Sequence, residues 1–113
     1  MHDFFQFIQI LLLGGVTNQR GGACCDGKDA VHLRDIEWDT QNKPDSHYRA
    51  KIPATYQDYE KALAGQDVDT IWIDIPDWAI VDGPNKDGAT LVWPMYSYND
   101  SPSARCFMAG VMG

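Results

Sequence analysis

Aromatic and acidic side chains are grouped in the second half of this 113-residue chain. Indole and phenol rings attract cations through their faces, and carboxylates beside them add negative charge. The combination therefore suits a cationic or small organic ligand, or a basic protein. The residues that we expect to share one surface or pocket are Trp72, Asp74, Asp77, Trp78, Trp93, Tyr96 and Tyr98. This grouping predicts a non-catalytic binding or interaction protein.

Paired carboxylates offer an alternative chemistry. Two of them can act as general acid and general base when their surroundings separate their pKa values. Asp74 or Asp77, assisted by His32 or His47, would supply such a pair. The alternative function is therefore a small hydrolase that needs no cofactor. Convergence of both aspartates with a histidine in a concave pocket would favour the hydrolase, whereas a flat acidic patch would favour a protein partner.

The three cysteines give no motif that predicts a reactive or metal-binding site. Cys24 and Cys25 are adjacent in a glycine-rich loop, and Cys106 is far away in the sequence. A thiolate in that loop could attack a carbonyl, but no spacing fixes a base beside it, and CxxC or HxxxH spacing for zinc is missing. An odd, unpaired set of cysteines favours a reducing cytoplasm. We predict no metal, no cofactor and a cytoplasmic location.

The overall charge argues against nucleic acid as a partner. Nine lysines and arginines stand against sixteen aspartates and glutamates, a formal net charge of -7. A phosphate backbone would be repelled by such a chain. The excess acid is concentrated between residues 67 and 104, where it either faces a basic partner or forms a solvated surface.

The apolar N-terminal segment is predicted to be a helix over residues 3–13, ending at Gly14 and Gly15. It is too short to span a bilayer, and it lacks the basic residues that open an export signal. Because it is apolar around most of its circumference, a small domain would not cover it fully. We therefore predict self-association as a dimer, without a membrane, through Phe4, Phe5, Ile8, Leu11 and Leu12.

Two later segments have clear periodicity. Thr55 is a good N-cap, and Tyr56, Tyr59 and Leu63 recur at helical spacing before Gly65, which predicts a helix over residues 55–64. Residues 68–75 alternate strictly, which predicts a strand. One face of this strand would carry Ile71, Ile73 and Ile75, and the other Thr70, Trp72 and Asp74.

The remaining pattern predicts a single domain over residues 1–113. Further strands are expected within residues 30–38, 47–52, 78–81, 89–98 and 105–112, with residues 39–46 as a loop. The order of elements lacks the strand and helix alternation of parallel sheets. The predicted fold class is therefore α+β, with an antiparallel or mixed sheet of about five strands and two helices, at residues 3–13 and 55–64.

Overall fold

The computed structural model describes residues 18–19, 21, 24, 27–81, 85 and 88–110. Within these ranges the chain forms six strands and one α-helix, joined by short turns. In chain order the elements are β1 (Val31–Leu33), β2 (Trp38–Lys43), β3 (Ser46–Pro53), α1 (Tyr56–Leu63), β4 (Thr70–Ile75), β5 (Thr90–Tyr96) and β6 (Pro102–Met108).

The strands form two antiparallel sheets of three strands each. The first sheet has the order β1-β5-β6, and the second has the order β2-β3-β4. The predicted fold class, about five strands in one sheet with two helices, is therefore wrong for the described part of the chain, which is mostly β. The predicted helix over residues 3–13, and with it Phe4, Phe5, Ile8, Leu11 and Leu12, lies outside the described residues, so self-association stays a prediction.

A turn within residues 30–38 explains why there are two sheets. The single strand predicted there is interrupted by the 3-10 turn Asp35–Glu37, in which the Arg34 backbone N–H donates to the Glu37 carboxylate at 2.9 Å. The chain consequently leaves the first sheet after β1 and enters the second sheet as β2. The loop predicted over residues 39–46 is instead the β2-β3 hairpin, whose polar β2 residues are mostly exposed.

The main core lies between the two sheets. Its fully buried members include Ile52, Ile75, Val92 and Phe107, with Tyr48 stacked on Phe107 at a ring-centroid distance of 5.0 Å. A bulge in the β5-β6 ladder pairs Trp93 with Cys106 but Pro94 with Ala104. Because a bulge inserts one residue, both Ala104 and Phe107 can face this core.

A second, smaller cluster covers the outer face of the first sheet. It contains a disulfide between Cys24 and Cys106, which are 82 residues apart, together with buried Leu91, Trp93 and Met108. The sequence did not predict this bond, because Cys24 and Cys106 lie far apart in the chain and the tertiary fold brings them together. The cysteines therefore no longer favour the predicted reducing cytoplasm.

The helix over residues 55–64 is confirmed as α1. The Thr55 side chain accepts a hydrogen bond from the Asp58 backbone N–H at 3.1 Å, and Gly65 follows the helix with a φ of 85°. A residue in this left-handed conformation favours glycine and ends a helix. None of the α1 side chains is fully buried, so the helix lies on the surface of the domain.

The strand predicted over residues 78–81 is wrong. Asp77–Ala79 form a 3-10 turn after Pro76, and Ile80 makes a single parallel bridge to Phe107. Among the described residues, no helix combines the length and apolarity needed to cross a bilayer.

Candidate functional site: a tyrosine-lined cleft

The seven aromatic and acidic residues predicted to share one surface lie in separate places. Trp72 and Asp74 are on β4, Asp77 and Trp78 are in the turn that follows, and Trp93, Tyr96 and Tyr98 are on β5 or just after it. Each group therefore lies in surroundings of its own.

The outer face of the second sheet carries Trp72 and Asp74 among basic residues. The Lys43 ammonium donates to both carboxylate oxygens of Asp74 at 3.0 and 3.2 Å, and the Gln41 side-chain amide donates to one of them at 3.0 Å. The Gln41 hydrogen bond, followed by the Lys43 contacts, holds the pKa of Asp74 below its usual range. The Arg49 guanidinium lies 4.3 Å from the centre of the Trp72 ring. On this face Asp74 and Trp72 are thus each in contact with a basic side chain.

The turn after β4 brings Asp77 to His47. The His47 Nδ1 atom lies 2.9 Å from one carboxylate oxygen of Asp77, and the His47 backbone N–H donates to the same oxygen at 3.1 Å. Both side chains are about half exposed. Trp78 is partly buried against the main core, so its ring serves packing. Asp74 is held by Lys43 and Gln41, and the convergence of two aspartates on one histidine is not observed.

Trp93 and Tyr96 do lie together, in a cleft of about 270 Å³ beside the N-terminal half of α1. We call this the tyrosine cleft. The residues that line it are Asp29, Tyr56, Tyr59, Trp93, Pro94, Met95, Tyr96 and Arg105. Tyr98 is fully exposed in the turn between β5 and β6 and does not line it.

Three tyrosine rings form one side of the cleft. The ring centroids of Tyr56, Tyr59 and Tyr96 are 5.9 to 6.1 Å apart, and Tyr56 meets Tyr96 edge to face. These distances are typical of favourable aromatic pairs. The three rings therefore support one another and present a continuous aromatic wall.

Two of the tyrosine hydroxyl groups are used inside the protein. The Tyr59 hydroxyl donates to the Asp29 carbonyl, and the Tyr96 hydroxyl donates to the Pro53 carbonyl at 2.7 Å. Burial raises the pKa of Tyr96 above its ordinary value, with further contributions from Tyr59, Asp58 and Asp100. Both donors are consequently committed, and ring surface is what these two tyrosines offer to a ligand.

The start of α1 is fixed against the β5-β6 turn. The Asp100 carboxylate accepts a hydrogen bond from the Tyr56 backbone N–H at 3.3 Å, and Asp100 has a positive φ of 61°. A carboxylate at a helix N-terminus also interacts favourably with the helix dipole. This contact and the Thr55 cap together set the position of Tyr56 relative to Tyr96.

Tyr56 and Tyr59 were not predicted as site residues. Their three-residue spacing placed them on the side of a helix expected to face the core, yet Tyr56 is exposed and Tyr59 is partly exposed. In the sequence, the indication of a site was that both tyrosines lie within two residues of the acidic residue Asp58. The packing of β5 against α1, which completes the cleft, could not be predicted from the sequence. In the described part of the chain, no three histidine, cysteine or acidic side chains lie close enough together to hold a metal ion.

Comparisons with protein-family models, with curated proteins and with solved structures give no match to this chain.

Proposed function

We propose that this chain is a non-catalytic binding domain that takes a small organic cation in the tyrosine cleft. The observation that carries the proposal is the aromatic wall formed by Tyr56, Tyr59 and Tyr96, with Trp93 beside it. Aromatic faces bind quaternary and other organic ammonium groups through their quadrupoles.

The charges around the cleft support a cation over an anion. Asp58 and Asp100 contribute to the raised pKa of Tyr96, so their negative charge acts on a residue that lines the cleft. Asp29 lies in the lining itself, and Arg105 supplies an opposing positive charge. Since the hydroxyls of Tyr59 and Tyr96 donate within the protein, they are not available as donors for an anion.

The test uses choline and its neutral carbon isostere dimethylbutanol, which have the same shape but differ in charge. NMR titration of the tyrosine ring resonances should show binding of choline and weaker binding of the isostere. The variant Tyr56→Leu should weaken choline binding about threefold to fivefold, as expected for the loss of one cation–π contact. Tyr98→Leu, which removes a fully exposed tyrosine outside the cleft, should leave the affinity unchanged.

Equal affinity for choline and the isostere would reject the cationic part of the proposal. Equal loss in the Tyr56→Leu and Tyr98→Leu variants would place the ligand outside the cleft. No ring shifts at millimolar choline would reject the site altogether.

The hydrolase is the second candidate, and the His47 and Asp77 contact is the observation in its favour. With Nδ1 directed to Asp77, Nε2 is the nitrogen left for proton transfer. However, a general acid needs a raised pKa, whereas that of Asp74 is lowered. If the protein hydrolyses chromogenic esters and the His47→Gln variant does not, its function is catalysis and not binding.

We infer from the disulfide that the domain acts in an oxidising compartment rather than in the cytoplasm. Disulfides persist outside the reducing cytosol and support small domains whose cores are limited. Thiol quantification by alkylation of protein taken directly from its native source tests this inference. A single blocked thiol pair at Cys24 and Cys106 is expected, and three free thiols would contradict it.

A further inference from the structure

The second sheet ends at a strand edge that is open among the described residues. β4 is the last strand in the order β2-β3-β4, and of the described strands it pairs with β3 alone. Its ladder with β3 runs over six residue pairs without a bulge. Ile71 and Trp72, in the middle of β4, are both exposed. The side of β4 that faces away from β3, which we call the β4 edge, is therefore accessible to a further strand.

The hydrogen bonds to β3 determine which backbone groups of β4 point outwards. Just before β4, the Ala54 N–H donates to the Asp69 C=O at 3.0 Å. The next residue pair contains a proline on β3, which has no N–H to donate. Antiparallel strands alternate between hydrogen-bonded and non-hydrogen-bonded pairs. Counting from Asp69, the backbone N–H and C=O groups of Thr70, Trp72 and Asp74 therefore point away from β3.

The other three sheet edges are protected in ways that the β4 edge is not. β1 is three residues long, and β2 carries a bulge with Lys43 beside it. Along β6, the Phe107 C=O accepts a hydrogen bond from the Val81 N–H at 2.9 Å, and the Arg105 C=O accepts one from the Asn18 side chain at 3.0 Å. Short strands, bulges, lysines and covering segments all discourage the addition of a strand. β4 has no proline, lysine or bulge, and its isoleucines favour pairing.

A second copy of β4 complements this edge. When two copies meet antiparallel about Trp72, each outward-pointing residue lies opposite another one, with Trp72 opposite its own copy and Thr70 opposite Asp74. The outward N–H and C=O groups of both copies then gain partners. A register shifted by two residues in either direction would place one of these three residues beyond the end of the other strand.

The side chains fit the same register on both faces of the sheet. On the inner face, Ile71 of one copy lies opposite Ile73 of the other, so the exposed part of Ile71 gains an apolar neighbour. On the outer face, the two Trp72 rings form a cross-strand aromatic pair. Asp74, the charged residue of β4, faces a threonine and keeps Lys43 as its ion partner at 3.0 Å. Within the β4 ladder, no like charges are therefore opposed.

We propose that two copies of this chain form a dimer by antiparallel pairing of the β4 edge about a two-fold axis at Trp72. Such an axis is usual for dimers of identical chains. The pairing joins the two second sheets, of three strands each, into one continuous sheet. This interface uses no residue of the N-terminal segment, and it is independent of the tyrosine cleft and of the ligand proposed there.

The first test measures dimerisation and backbone pairing of the full chain. Sedimentation equilibrium should show a dimer whose fraction rises from micromolar to millimolar concentration. Over the same range, hydrogen exchange at the amides of Thr70, Trp72 and Asp74 should slow, because these N–H groups gain acceptors. The amides of Ile71 and Ile73 already point to β3 and should change much less.

Substitutions at Trp72 test the two-fold register. Trp72→Lys or Trp72→Glu removes the ring pair and places like charges opposite each other, so each variant alone should dimerise about tenfold more weakly. An equimolar mixture of the two variants should recover the dimer, because opposite charges then meet at the axis. Ile36→Lys is the matched control, since it adds the same charge at an exposed isoleucine outside β4 and should leave dimerisation unchanged. Folding of each variant is checked from the resonances of the main core.

A chain that stays monomeric at millimolar concentration overturns the proposal and leaves the β4 edge to a strand of another protein. Dimerisation that persists undiminished in both Trp72 variants places the contact elsewhere, for example on the N-terminal segment, and overturns it as well. A mixture of the variants that fails to recover the dimer would reject the axis at Trp72.

Discussion

The two sheets differ in how many of their faces are covered. The first sheet is buried on both sides, so that Trp93 on its outer face is 3% exposed and Phe107 on its inner face is fully buried. The second sheet is covered on its inner face, whereas no described element covers its outer face, where Trp72 is 41% exposed.

The difference shows where binding sites can form in such a small domain. The segment before β1 meets α1 where the Asp29 carbonyl accepts a hydrogen bond from the Tyr59 hydroxyl, and the tyrosine cleft lies beside this contact. The cleft also uses residues of β5 and β6. The outer face of the second sheet has no covering element among the described residues, and it pairs its own charges instead.

The largest effect on stability is expected from removing the disulfide that links Cys24 to Cys106 of the first sheet. The double variant Cys24→Ala and Cys106→Ala should lose about 4 kcal/mol of unfolding free energy, because a bond closing such a long loop strongly restricts the unfolded chain. Urea denaturation with and without reductant measures the loss. The single variant Cys25→Ala keeps the bond and should differ little from the parent. A double variant as stable as the parent would show that the disulfide contributes nothing.

A pair of isoleucines on one strand tests the covered face of the second sheet. Ile75 is fully buried and Ile71 is 39% exposed, although both were predicted to face the core. Ile75→Ala should cost about 3 kcal/mol, since it leaves a cavity that the surrounding side chains fill only in part. Ile71→Ala should cost about 1 kcal/mol, because part of this side chain is already in water. Equal costs in urea denaturation would mean that the inner face is uniformly packed.

The smallest change in unfolding free energy is expected for a substitution on the open, outer face of the second sheet. Arg49→Gln removes the guanidinium above Trp72 and should lower the unfolding free energy by about 0.5 kcal/mol, a usual value for an exposed cation–π pair. The tryptophan fluorescence spectrum should shift as the ring becomes more hydrated. A loss as large as that of Ile75→Ala would contradict the view that this face contributes little to stability.

Local sequence patterns were sufficient for some elements. The cap at Thr55 and the helix spacing after it predicted α1, and strict alternation predicted β4 with Trp72 and Asp74 on the same face. These features depend on neighbouring residues in the chain. The ion pair of Asp74 with Lys43 was not predicted. Lys43 lies on β2, and the polar sequence of β2 had been interpreted as a loop.

The sequence by itself determined the net negative charge, the capped helix and the alternation that gives β4 a covered and an open face. The tertiary structure alone decided that residues 30–38 divide between two sheets, that Cys24 meets Cys106, and that Tyr56 and Tyr59 join Tyr96. The physical reason is distance along the chain. Caps and periodicities act over a few residues, whereas a cleft or a disulfide requires segments far apart in sequence to pack together, and their packing depends on the whole core.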